Sequence, residues 1–176
     1  MILLQCNDNF YLNQIINLFN QKKFYVTNDK TNKYIFKLNL YLDKNQLKIN
    51  LPNNPIFLKL PFSFEQFFSE IKNIYIDEFV NLGKLKYKPI RQSLSSNNNL
   101  INLNFIHNVI MTNLMLNLEI GVDKNFLYGL IWPNDKDIQI NKLDTHVTNL
   151  KNKIKNDLNI DLKIISNAGL LKLCID

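Results

Sequence analysis

Leu143, Val147, Leu150 and Ile154 recur at intervals of four, three and four residues. At about 100° per residue they share one narrow sector of a helix, predicted over residues 141–157. A helix striped in this way is stable only if its neighbours supply an apolar surface. Two further helical stretches precede it, at 104–117 and 124–132, the second with Asp123 as a cap. Behind it, Asp161–Ile165 and Leu171–Cys174 flank the turn residues Ser166-Asn-Ala-Gly169, which signals a hairpin. Three helices closed by a two-stranded hairpin form the winged-helix variant of the helix-turn-helix.

The N-terminal part is patterned differently. Ile2–Leu4 reads as a short strand, followed by a helix at 10–20 that Asn7, Asp8 or Asn9 can cap. Tyr34–Leu42 and Gln46–Leu51 alternate about Asp43-Lys44-Asn45, a second hairpin signal. A strand at Ile56–Leu60 then runs into Pro61, and Ser63-Phe-Glu-Gln66 is a capping box opening a helix striped by Phe64, Phe67, Phe68, Ile71 and Tyr75. From Val80 to Asn99 no period is visible, and Ser93-Leu-Ser-Ser-Asn-Asn-Asn99 has linker composition. The fold class expected is α+β: a small α/β domain at 1–82, a linker at 83–100 and a winged-helix domain at 101–176.

Composition removes several classes of function. The chain has 176 residues, 4 Gly without a phosphate-loop pattern, and only 2 His and 2 Cys, which gives no support to a nucleotide loop, a Cys/His metal cluster or a disulfide framework. No nucleophile–base pair or acidic dyad can be assembled, so neither an enzyme nor a cofactor is expected. Cys6 and Cys174 read as small buried hydrophobes, and His107 as a structural residue on the first helix of the C-terminal domain. The start, Met-Ile-Leu-Leu-Gln-Cys, lacks a basic region and a long apolar run, so no signal peptide is expected. The apolar stretch 105–122 is interrupted by His107, Asn108, Asn113, Asn117 and Glu119, which argues against a membrane span and for a cytoplasmic setting. The net charge of +6 suits an anionic partner, but the excess of Lys and Asn over a single Arg, Arg91, is also what A/T-rich codons supply.

The face of the 141–155 helix opposite its apolar stripe holds Asn141, Thr145, Thr148, Asn149 and Asn152. Lys142 and Lys153 flank it on one edge and Lys151 and Lys155 on the other, with His146 near the boundary. A helix in a major groove needs short amides and hydroxyls at its centre for base edges, and cations at its margins for phosphates. Asn suits adenine and a Thr methyl suits thymine, while the guanine-reading Arg is missing, so A/T-rich sites are expected. The same face also fits a solvated helix in a Lys- and Asn-rich chain. Trp132, closing the preceding helix, is a core or edge anchor whose indole N–H could reach a phosphate.

Leu130-Ile-Trp-Pro133, followed by Leu143, Asp144, His146, Val147, Leu150, Lys153 and Ile154, with Lys151 standing for Arg, resembles the C-terminal domain of OmpR/PhoB-type response regulators. The tail Ile165-Ser-Asn-Ala-Gly-Leu-Leu-Lys-Leu173 is similar to that family's wing, one residue shorter, with Ser166 for Thr, Leu171 for Tyr and Lys172 for Arg. The resemblance implies DNA contacts at Asn141, Lys142, Thr145, His146, Thr148, Asn149 and Lys151, with Asn167 and Ala168 at the wing tip. It departs where family cations are replaced by Asn141, Thr148 and Asn149, which implies weaker binding. Ile2–Asp8 and Phe57–Phe62 likewise resemble the two ends of a receiver domain, cut short. The acidic pair is largely neutral around Cys6 and Asn7, the Lys before Pro falls on Leu60, and no strand-end Asp stands as phosphoacceptor. These readings imply a non-phosphorylated regulator of double-stranded DNA, with the N-terminal domain open to a homodimer or a protein partner. The alternative is a degenerate winged helix that serves only as a protein-interaction module.

Overall fold

The computed structural model describes residues 2–21, 26–30, 34–51 and 55–175. The chain divides into two compact units, Met1–Asn73 and Ile74–Asp176, the division falling within one helix.

The first unit holds β1 (Ile2–Cys6), α1 (Asn9–Gln21), β2 (Val26–Thr27), β3 (Phe36–Asp43), β4 (Gln46–Asn50), β5 (Ile56–Lys59) and the start of α2 (Phe64–Tyr75). Its sheet runs β2-β1-β3-β4-β5. β1 pairs in parallel with β2 and β3, whereas β3–β4 and β4–β5 are antiparallel. That strand order is the one found in flavodoxin-like doubly wound sheets, where every pair is parallel and helices form the crossovers. Here Lys44-Asn45 alone joins β3 to β4. The Asp8 carboxylate accepts from the Tyr11 N–H at 2.8 Å and so caps α1. Asn7 is used differently: its side-chain amide bonds both the N–H and the C=O of Leu42, at 2.7 and 3.0 Å. Strand alternation buries Leu38, Leu40, Leu47, Ile49 and Leu58. Phe19 of α1 meets the rings of Phe64, Phe67 and Phe68 of α2 at 5.3–5.8 Å, as the aromatic stripe predicts. Phe24 and Tyr25, which precede Val26 in the chain, lie outside the described residues.

The second unit begins at Ile74, inside the stretch 1–82 expected to form the first domain. The segment read as a linker, 83–100, belongs to a four-stranded antiparallel sheet of β6 (Val80–Leu82), β7 (Leu85–Lys88), β8 (Ser93–Ser96) and β9 (Asn99–Asn102). Two-residue turns begin at Gly83 and Asn97, both with positive φ, 60° and 51°, as tight hairpins require. Leu82, Leu85, Tyr87, Leu94 and Ile101 are buried, so the Ser- and Asn-rich stretch carries an apolar row on one side. Then follow α3 (Phe105–Leu116), β10 (Val122–Asp123), α4 (Lys124–Ile131), α5 (Ile140–Leu158), β11 (Lys163–Asn167) and β12 (Leu170–Cys174). The last strands form the order β10-β12-β11. No helix among the described residues is long and apolar enough to cross a membrane.

Candidate nucleic-acid interface

α5 is 19 residues long, about 28 Å at 1.5 Å per residue. Leu143, Val147, Leu150, Ile154 and Leu158 are its buried positions, so the opposite face is fixed by geometry. Asn141, Thr145, Thr148, Asn149, Asn152 and Lys155 are exposed, and Lys142, His146, Lys151 and Lys153 are half-buried at the margins. Thr145 donates its hydroxyl to the Asn141 carbonyl at 2.8 Å, so the hydroxyl proton is used within the helix. Asn159 ends the helix in the left-handed conformation at φ 55°, and the Asp123 carboxylate caps α4 by accepting from the Phe126 N–H at 2.8 Å.

The margins are less uniform than the sequence suggests. Lys142 lies 4.2 Å from the centroid of the Trp132 ring and 3.0 Å from Asp135, so its charge is already engaged. Tyr128 donates its hydroxyl to the same Asp135 carboxylate at 2.6 Å. That bond, then the Lys142 ammonium, holds the Asp135 carboxyl below its usual range. Lys153 lies 4.0 Å from Asp157. Asp144, matched in the family resemblance, pairs at 2.7 Å with the nearly buried Lys124 and so joins α5 to α4. Lys151 and Lys155, unlike Lys142 and Lys153, form no ion pair among the described residues.

His146 does not point with the amides. Its ring sits 5.6 Å from Trp132 and 5.9 Å from His107, so Trp132, His146 and His107 form one aromatic column beside α5. His107 is 7% exposed and its Nε2 finds no partner among the described residues. Burial first, then the neighbouring His146 and Lys153, pull its pKa below the ordinary histidine value. The unfolded chain therefore takes up this proton more readily than the folded one. The stabilisation from neutral His107 is fully present above about pH 6.5 and is lost as pH falls from there toward the lower folded-state pKa. A urea midpoint followed through Trp132 fluorescence is expected to hold steady above that pH and to drop below it, with a smaller drop in His107→Gln. A flat profile would contradict the assignment.

The hairpin sorts its three sequence-predicted residues onto two faces. Asn167 pairs with Leu170 and Lys172 with Ile165, all on the outward face, whereas Ser166 pairs with Leu171, which is 1% exposed and belongs to the inward face. Ser166 is thus set apart from Asn167 and Lys172. The turn is Ala168-Gly169, with φ of 46° and 80°, one residue beyond the Asn167-Ala168 tip expected from the resemblance. Cys6 and Cys174, expected buried, are half-buried. Cys174 lines a cleft of about 300 Å³ with Leu82, Leu85 and Leu162, between the β6–β7 turn and the start of β11. Sequence reasoning missed that cleft because one wall comes from the unrecognised sheet.

No family model matches the chain, and no curated protein is similar to it in sequence. Among solved structures, the DNA-binding domain of E. coli CadC is similar to 56% of this chain over 92% of its own length, at 15% identity and a TM-score of 0.48.

Proposed function

We propose that this chain is an atypical transcription regulator of the winged-helix type that lays the outward face of α5 in the major groove of double-stranded DNA. The β11–β12 hairpin serves as the wing. The observation that carries this reading is the exposed row of Asn141, Thr145, Thr148, Asn149 and Asn152, opposite a fully apolar stripe and edged by Lys151 and Lys155. Amides and Thr methyl groups suit adenine and thymine, so A/T-rich sites are favoured. Regulation without phosphorylation follows from the replacement of acidic residues around Cys6 and Asn7. The first unit then serves for a homodimer or a protein partner. Of the sequence-predicted contacts, Trp132 and His146 act as packing for the helix, while Asn167 and Lys172 reach from the wing.

Fluorescence anisotropy with A/T-rich and G/C-rich duplexes at two salt concentrations tests this. Lys151→Ala is expected to weaken binding by up to about tenfold at 0.1 M salt and to lower the salt slope by about one. Lys142→Ala has a smaller effect, because Asp135 already neutralises that cation. Asn149→Ala changes preference among sites by about 1–3 kcal/mol. Binding unmoved by Lys151→Ala removes α5 from the interface. A protein-interaction module is the second reading, favoured by Ile165 and Leu170, which stand 52% and 41% exposed on the outward face of the hairpin; no duplex binding at low salt would select it.

A further inference from the structure

We propose that the open face of the β3–β4–β5 sheet binds single-stranded nucleic acid by base stacking, at a site separate from α5. The pairing register places Tyr41 directly opposite Lys48, and Lys48 directly opposite Phe57. Side chains paired in this way lie on one side of a sheet, so the three form a continuous row across three strands. Tyr41 is 52% exposed and Phe57 53%, although large rings in strands of this kind are ordinarily turned inward. The inward positions are already filled by Leu38, Leu40, Leu47, Ile49 and Leu58. The Lys48 ammonium lies 5.9 Å from the centroid of the Phe57 ring, which holds a cation between the two rings.

The rows on either side are polar. Asn39 pairs with Asn50 on one flank, and Asp43 with Gln46 and Gln46 with Lys59 on the other. The face thus presents two flat apolar rings about 10 Å apart, at two strand spacings, with Lys48 and Lys59 beside them and amides around them. Its one carboxylate, Asp43, accepts from the Lys44 backbone N–H at 2.7 Å. Exposed aromatics on a sheet, interleaved with cations and short amides, are what a flexible strand needs: the rings stack on bases, the ammonium groups meet phosphates, and no groove geometry is required. A double helix, whose bases are already stacked, cannot use the rings. A two-fold copy of the same face centred on the row is disfavoured because it would bring Lys48 against its own counterpart.

Anisotropy of the full chain with fluorescein-labelled oligothymidylate and oligouridylate decides the matter. Both probes are expected to bind, and Tyr41→Ala and Phe57→Ala are each expected to weaken binding at least about fivefold. Tyr41→Phe, which keeps the ring, should bind as the parent does, and Lys48→Gln should reduce the salt slope by about 0.7. Lys151→Ala should leave these affinities unchanged, and an excess of A/T-rich duplex should not displace the strand, which separates this site from α5. All substituted side chains are exposed or half-exposed, and circular dichroism confirms that each variant keeps its fold. Absence of single-strand binding at low salt, or binding indifferent to Tyr41→Ala and Phe57→Ala, overturns the proposal. So does a change of sedimentation coefficient in Tyr41→Ala without loss of oligonucleotide binding, which would assign the rings to a second copy.

Discussion

Tyr87→Ala is expected to lower the unfolding free energy of the Ile74–Asp176 unit by about 3–5 kcal/mol, and Tyr87→Phe by about 1–3 kcal/mol. The ring is 0% exposed on β7, so its removal leaves a cavity between sheet and helix. Its hydroxyl lies 2.7 Å from both the Asn108 side-chain oxygen and the Thr112 hydroxyl, and 3.1 Å from the Asn108 carbonyl. Phenylalanine would keep the packing and remove these bonds, leaving the buried Thr112 hydroxyl without this partner. The same burial pushes the phenol well above its ordinary pKa, so it remains a neutral hydrogen-bonding group throughout the neutral range. Urea unfolding followed through Trp132 measures the loss, since this is the one Trp in the chain and it lies in the affected unit. Were the 83–100 segment a free linker, both substitutions would leave the midpoint where it is.

Gly121→Ala is expected to cost about 2–4 kcal/mol, and the cost comes from two sources. Gly121 has φ +81°, which disfavours any side chain, and a Cβ there would stand 2.9 Å from the Leu171 carbonyl oxygen. That oxygen belongs to β12, where Leu171 pairs with Val122, so it cannot move without opening the three-stranded sheet. Gly169 provides the control: φ is +80° but nothing lies within 4 Å of its Cβ position. Gly169→Ala should therefore cost only the backbone term, about 1–2 kcal/mol. Equal losses at the two positions would mean that the contact with β12 is unimportant. If the hairpin is the wing of a DNA-binding surface, Gly121→Ala also lowers duplex affinity, because β10 holds β12 in place.

The helices were legible in the chain to within a residue or two. The stripe at Leu143, Val147, Leu150 and Ile154 predicted a helix at 141–157, and α5 spans Ile140–Leu158. Asp123 was readable as a cap, and it accepts from the Phe126 N–H. The Ser63 hydroxyl accepts from Gln66 as the capping box predicts, at 3.1 Å. The Tyr34–Leu51 hairpin was also visible, since two alternating runs flank a short polar turn. The outward face of α5 followed from its apolar face by simple rotation.

The β6–β9 sheet was not legible. Strands of three or four residues show at most two alternations, too few to stand out, and Ser93 and Ser96 look like linker residues although they are 2% and 8% exposed. Nor could spacing reveal which lysines are engaged. Lys142 and Lys151 look alike on a helical wheel, and only the loop after α4 brings Asp135 to one of them. His107 and His146 lie far apart in sequence, yet their rings stand 5.9 Å apart, and His146 adds to the burial that lowers the His107 pKa. The Tyr41–Lys48–Phe57 row exists only in the paired register of three strands.

The features written along the chain are therefore periodic and local: helix extents, caps, hairpin turns, and which face of each element turns inward. A helix satisfies its backbone within a few residues, so its period is written along the chain. The four-stranded sheet, the parallel pairing of β1 with β2 and β3, the paired and open cations of α5, and the histidine column emerge once the chain is folded. The parallel strands and the histidine column depend on groups distant in sequence, whose interaction gains free energy only after loop closure has brought them together, while the short strands of 80–102 gain theirs by burying Tyr87 and Leu94 in the core of their unit. No local pattern records that step.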